Sequence, residues 1–154
     1  LDGMLVYTAD KNGEGDRYFC KAGKIQRESD DGSRDSRYPK EDDHELDVPL
    51  AVLVNGNSAS ASEVFTGAVM DYDAGIVVGT TTFGKGIVQN LIPLGDGTAI
   101  KLTTAHYYTP NGFDLHGKGL EPDVVVEMDE ELQKKAVVEL SEDNQLQAAI
   151  EAMN

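Results

Sequence analysis

Two short segments carry residue types that could do chemistry. Asn57-Ser58-Ala59-Ser60-Ala61-Ser62-Glu63 places serines where a strand gives way to a helix. Phe83-Gly84-Lys85-Gly86 sets a lysine between two glycines. Neither segment is decisive alone; together they suggest a hydrolase with Ser60 as nucleophile and Lys85 as its base. A serine at a helix start lies among unpaired backbone N–H groups and the positive end of the helix dipole. Such surroundings stabilise the oxyanion of acyl transfer. A free lysine, with a pKa of about 10.4, is a poor base at neutral pH. Burial can lower it to about 7–8, where it can take the serine proton, and Phe83 and Ile87 are the apolar wall expected to bury Lys85.

Each residue also has a purely structural reading. Ser60-Ala61-Ser62-Glu63 fits a capping box, so Ser60 could simply cap the helix. Ser58 and Ser62 are rival nucleophiles that the local sequence does not separate from Ser60. Lys85 could be an ordinary surface lysine in a glycine-rich turn. Gln89, four residues on, would share a strand face with Lys85 and could orient it. Gly79 to Lys85 fits the first seven positions of a phosphate-binding loop. Gly86, however, stands where a Ser or Thr should hold magnesium, and the strand-like run from Ile87 follows where a helix should open. His106 and His116 have no serine and acid partners at recognisable spacing, and His44 sits in a solvated charge run. No metal-ligand cluster is visible, and the lone Cys20 makes neither an internal disulfide nor a zinc site.

The elements that must position these residues follow from the pattern. Met4 to Ala9 and Asp16 to Lys21 read as a hairpin around a turn-rich link. From Ala22 to Asp47 the chain is polar, with no apolar period, and reads as an exposed acidic loop or flap. Leu50 to Val54 reads as a strand buried on both faces. A helix over about 60–72 and a strand at Ile76-Val77-Val78 complete a strand-helix-strand unit with a parallel pair. Ile87 to Leu94 and Ala99 to Tyr107 form a second hairpin around Gly95-Asp96-Gly97. Val124 to Val126 is a last short strand, and helices are expected over 129–136 and 143–153.

The 154 residues suffice for one domain with a real core, and 40% hydrophobic content is ordinary for a globular chain. The chain opens on Leu1 rather than Met and so reads as a piece of a longer protein. A net charge of -15 argues against nucleic-acid binding, which leaves a basic footprint.

These segments resemble the carboxyl-terminal processing proteases, the tail-specific serine peptidases of family S41. The resemblance rests on Asn57 to Glu63, Gly79, Phe83-Gly84-Lys85-Gly86, Val88-Gln89, Lys101-Leu102-Thr103, Thr109-Pro110-Asn111-Gly112 and Gly119-Leu120-Glu121-Pro122-Asp123, in that order. It implies Ser60 as nucleophile, Lys85 as general base and Gln89 as its support, with the Ala61 N–H as one oxyanion donor and no metal or cofactor. It implies an α/β fold with a ClpP/crotonase-like core: a mixed sheet, a strand-helix-strand unit and flanking helices. Within a partial peptidase core over 1–154, the expected parts are the hairpin 1–21, the acidic loop 22–47, the catalytic core 48–128 and the C-terminal helices 129–154.

The function so implied is that of a serine endopeptidase acting near the C-termini of proteins or peptides, outside the cytoplasm. Family members also carry a PDZ domain and an Asn-Pro-Gly-Gly-like turn ahead of this region, the turn supplying a second oxyanion donor. This stretch alone is therefore expected to keep the dyad with little or no peptidase activity. An exposed sheet edge would invite self-association. The alternative is a non-catalytic peptide-binding or dimerisation module of the same fold.

Overall fold

The computed structural model describes residues 2–21, 23–37 and 48–154. Its elements run β1 (Gly3–Ala9), β2 (Asp16–Lys21), β3 (Lys24–Ser29), β4 (Arg34–Arg37), β5 (Ala51–Val54), α1 (Ala61–Asp71), β6 (Ile76–Gly79), β7 (Ile87–Pro93), β8 (Ala99–Tyr108), β9 (Val124–Val125), α2 (Glu130–Gln133) and α3 (Asn144–Ala152). The strands form two sheets. One has six strands in the order β4-β3-β2-β1-β8-β7, and the other has three in the order β5-β6-β9. All pairs in the first are antiparallel. Both pairs in the second are parallel.

This corrects the expected ClpP/crotonase-like core with one mixed sheet. The β1–β2 hairpin finds its second partner in β8, with Tyr7 opposite Tyr108. It does not join the parallel strands. Tight turns link antiparallel neighbours, whereas the parallel β5–β6 pair needs the α1 crossover. The two kinds of connection segregate into two sheets.

The expected loop over 22–47 also needs correction. Its first part forms β3 and β4, paired antiparallel to β2 and to each other. Lys24-Ile25-Gln26-Arg27-Glu28-Ser29 is polar on both faces, so hydrophobic alternation could not reveal it. Backbone bonds to β2 hold it instead. Residues 38–47, with His44, lie outside the described residues.

Burial concentrates around α1 and the parallel sheet. Val77 and Val78 are both fully buried. Adjacent strand residues face opposite ways, so both faces of β6 are covered. Val77 clusters with Val54 and with Val69 of α1, flanked by half-buried Val52 and Met70. α3 packs on β5 and β6, which places it on the other face. Its start is capped by Asp143, which accepts from the Gln145 and Leu146 N–H groups. β5 departs from the expectation of two buried faces: Val54 is buried, but Leu53 is 43% exposed.

A second cluster joins Tyr107, Leu115 and Leu120, with Val6, Val64, Met70 and Val88 around it. Met70 thus touches both clusters, and α1 packs on both β1 and β6. Its end is pinned where the Tyr72 hydroxyl donates to the Met4 carbonyl at 2.9 Å. The turn Thr109-Pro110-Asn111-Gly112 is tied to the same end, as the Asn111 N–H donates to Asp71 at 2.7 Å. Asp123 accepts from the Val77 N–H at 2.8 Å, so the Pro-Asp segment seats β6.

Candidate active site

Ser60 is the N-cap of α1, with φ 58° and ψ -114°. A positive φ is strained for a residue with a Cβ, costing on the order of 1–3 kcal/mol unless neighbours enforce it. Glu63 is the neighbour that does so. Its carboxylate Oε2 accepts from the Ser60 N–H at 2.9 Å. The Glu63 N–H returns to the Ser60 carbonyl at 2.9 Å. Ser58 is held as well: its hydroxyl oxygen accepts from the Asn55 N–H at 3.1 Å, closing the turn after β5. Its carbonyl accepts from the Phe83 N–H at 2.9 Å. Ser62 is an exposed residue of the first turn of α1.

The Glu63 carboxylate also organises the lysine segment. It is fully buried, and the same Oε2 accepts from the Lys85 N–H at 2.9 Å. Oε1 accepts from the Gly84 N–H at 2.7 Å and from the Thr82 hydroxyl at 2.6 Å. Four donors thus satisfy a buried carboxylate whose loss of water would otherwise be costly. Because one oxygen serves both residues, the amide nitrogens of Ser60 and Lys85 lie within twice 2.9 Å of each other. A lysine side chain is long enough to span that gap. The carboxylate in the first turn of α1 also suits the positive helix end.

Glycines let the lysine turn sit this close to its neighbours. Gly84 has φ +83°, and a Cβ there would come within 2.9 Å of the Gly119 nitrogen; at Gly86 one would meet the His116 nitrogen at the same distance. The Gly117 N–H donates to the Gly84 carbonyl at 2.9 Å. Thr82 completes the link, its hydroxyl accepting from the Leu120 N–H at 2.8 Å. Residues 116–120 are therefore the floor beneath the lysine turn.

The structure departs from two expectations here. Lys85 is exposed rather than buried, and Phe83 beside it is 64% exposed. Drawing the main chain inward against residues 116–119 turns these side chains outward, so Phe83 does not wall the lysine. Lys85 also precedes β7, and a register shift falls between Val88 and Gln89. Gln89 therefore does not share a regular strand face with Lys85. Gln89 is exposed and donates to the Thr103 hydroxyl at 3.2 Å. The chain after Lys85 is a strand, as the argument against a phosphate-binding loop requires.

Ala61 opens α1, and among the described residues its N–H forms no hydrogen bond. It is the kind of free donor that an oxyanion needs. His106 lies 3.4 Å from Asp114, and the His116 ring meets it edge-on. Burial opposes ionisation of Asp114, but the His116 N–H and the His106 ring outweigh it and hold the carboxyl below its usual range. The three residues satisfy one another.

Sequence reasoning missed two parts of this site. Glu63 was visible only as the far end of a capping box, and the bonds it makes across to Thr82, Gly84 and Lys85 leave no local mark. Tyr107 carried no signal beyond strand alternation. It is 6% exposed, and its hydroxyl donates to the Lys85 carbonyl. Burial, with the Glu63 charge adding, pushes the phenol up to about 12, against the opposing pull of the Ser60 hydroxyl beside it.

The fold and the two converging motifs define a peptidase-type core, and the chain belongs to peptidase family S41, whose family model matches residues 2–126. It is 54% identical over 79 residues to the carboxy-terminal-processing protease of Bartonella bacilliformis, a stretch of 51% of this chain and 18% of that protein. It resembles the solved photosystem II D1 C-terminal processing protease with a TM-score of 0.60 and 36% identity, over 82% of this chain and 28% of that one. A lipoprotein structure from Streptococcus agalactiae shares the fold, with a TM-score of 0.58 at 21% identity over 87% of this chain and 43% of that one. These likenesses replace the ClpP/crotonase expectation with the processing-protease fold. The chain spans less than a third of the processing proteases it matches.

Proposed function

We propose that this chain carries the Ser-Lys dyad of a serine endopeptidase that acts near the C-termini of proteins. The observation that carries the reading is the shared Glu63 oxygen, which seats a strained Ser60 and Lys85 side by side at the head of α1. In this reading neutral Lys85 Nζ takes the Ser60 proton, and Ser60 Oγ attacks the scissile carbonyl. The developing oxyanion faces the Ala61 N–H and the positive end of α1. The lysine returns the proton to the leaving amine, and water, again deprotonated by Lys85, releases the acyl group. The supporting role for Gln89 rests on the family resemblance alone, since among the described residues its side-chain hydrogen bond is to Thr103. No metal or cofactor takes part.

The protein or peptide substrate class rests on the family, as does action outside the cytoplasm, which fractionation of the source cell would check. Self-association would use an outer strand of the six-stranded sheet, β7 or β4, and sedimentation across a concentration series would reveal it. A phosphonylating serine probe on the 154-residue chain tests the chemistry. The expected result is one slow adduct on Ser60, lost in Ser60→Ala and in Lys85→Met, with little peptide turnover. Labelling at Ser58 or Ser62 instead, or none at all, would leave the non-catalytic module as the better reading.

A further inference from the structure

Tyr107 reaches from β8 into the joint between Ser60 and Lys85. Its neighbours in sequence, His106 and Tyr108, alternate to the other face, and its ring packs with Leu115 and Leu120. A phenol buried in such company needs a hydrogen-bond partner. It finds the Lys85 carbonyl, and the Tyr107 N–H donates to the Gly86 carbonyl at 3.0 Å. The Lys85 main chain is therefore held on both sides of its Cα, the N–H by Glu63 and the C=O by Tyr107. The lysine side chain itself is exposed, so the root of that chain is what the fold holds in place.

We propose that Tyr107 is a positioning residue for the Ser60–Lys85 pair, its hydroxyl clamping the Lys85 carbonyl so that the lysine amine returns to one place beside Ser60. The role rests on the dyad reading above. The phenol is not a rival base: held well above its ordinary pKa, it stays protonated at working pH and acts as a fixed donor. Misplacing a reacting group by about 1 Å can cost a hundredfold in rate, which is the scale of effect the clamp would protect.

The test is Tyr107→Phe in the 154-residue chain, which keeps the ring and removes the hydroxyl. Amide exchange at Lys85 and at residue 107 is expected to quicken about tenfold, with Val77 and Val78 unchanged. The maximal rate of phosphonylation at Ser60 should fall ten- to a hundredfold at an unchanged probe affinity. Unchanged exchange overturns the proposal, and so does faster exchange with an unchanged labelling rate. An equal loss in affinity would mean a general loosening and would also overturn it. If the Phe variant does not fold, 3-fluorotyrosine at 107 keeps the donor; a hundredfold loss of labelling there would count against the clamp. Absence of a Ser60 adduct in the unsubstituted chain sinks the dyad reading instead, and the exchange result then decides the clamp alone.

Discussion

In the parallel sheet Val77 and Val78 are shut off from water on opposite faces, while in the β7–β8 hairpin Leu91 is 70% exposed. Both regions are rich in β-branched and aliphatic residues, so composition does not distinguish them. The difference is what lies over them. α1 and α3 cover the parallel strands from two sides. The outer part of the hairpin, Asn90 to Thr104, is exposed throughout. The two residues of the proposed dyad sit at the boundary: Ser60 leads into the covered helix, and Lys85 leads into the uncovered hairpin. Glu63 is the bond between the two regions. Ser60 and Lys85 thus stand where a buried frame meets an exposed surface.

The sharpest way to break this contrast is Glu63→Gln. The amide keeps one acceptor oxygen and turns an NH2 toward donors that need an acceptor. Each N–H left facing it costs about 1–3 kcal/mol, so a loss of about 3 kcal/mol is expected in urea unfolding, together with loss of Ser60 labelling. Retained labelling would mean that the carboxylate does not hold the dyad together. Next in size is Val78→Ala, expected to cost about 2 kcal/mol because it empties a fully buried site. The same truncation at Leu91 should stay within about 0.5 kcal/mol. Equal losses at the two sites would show that the hairpin is covered in solution.

Alkaline pH probes the joint more gently. The Tyr107 phenol is raised from 10.0 to about 12 in the folded chain. Between those values the unfolded chain has released the proton and the folded chain still holds it. Stability is therefore at its full level below about pH 10 and falls as pH rises toward 12. The Tyr107→Phe chain should show a shallower fall over the same window, measured by unfolding at fixed pH values. The smallest expected effect on the fold is Gln89→Ala. It loses one exposed hydrogen bond, to Thr103, so stability should move by no more than about 0.5 kcal/mol. Labelling of Ser60 should nevertheless slow by about tenfold if Gln89 supports Lys85. An unchanged rate would remove Gln89 from the site.

Much of this was legible in the residues. Continuous apolar runs and turn residues marked β5, β6, α1 and both hairpins, because hydrophobic periodicity and turn chemistry are local properties. β3 escaped because it pairs through its backbone and shows no apolar face. The Ser-Glu spacing of the capping box was readable within four residues. The second half of Glu63's work was not, since Thr82, Gly84 and Lys85 approach only when α1 and the turn before β7 are packed together.

The sequence by itself determined which residue types stand at the strand-to-helix turn and between the two glycines, and the order of most elements. The tertiary structure alone decided that the strands split into two sheets, that a buried carboxylate oxygen binds Ser60 and Lys85 at once, that Tyr107 closes on the lysine from the far side, and that Lys85 itself faces solvent. These are matters of long-range pairing and burial. They depend on which backbone groups are brought together when the apolar faces of α1 find β1 and β6, and no window of neighbouring residues records that choice.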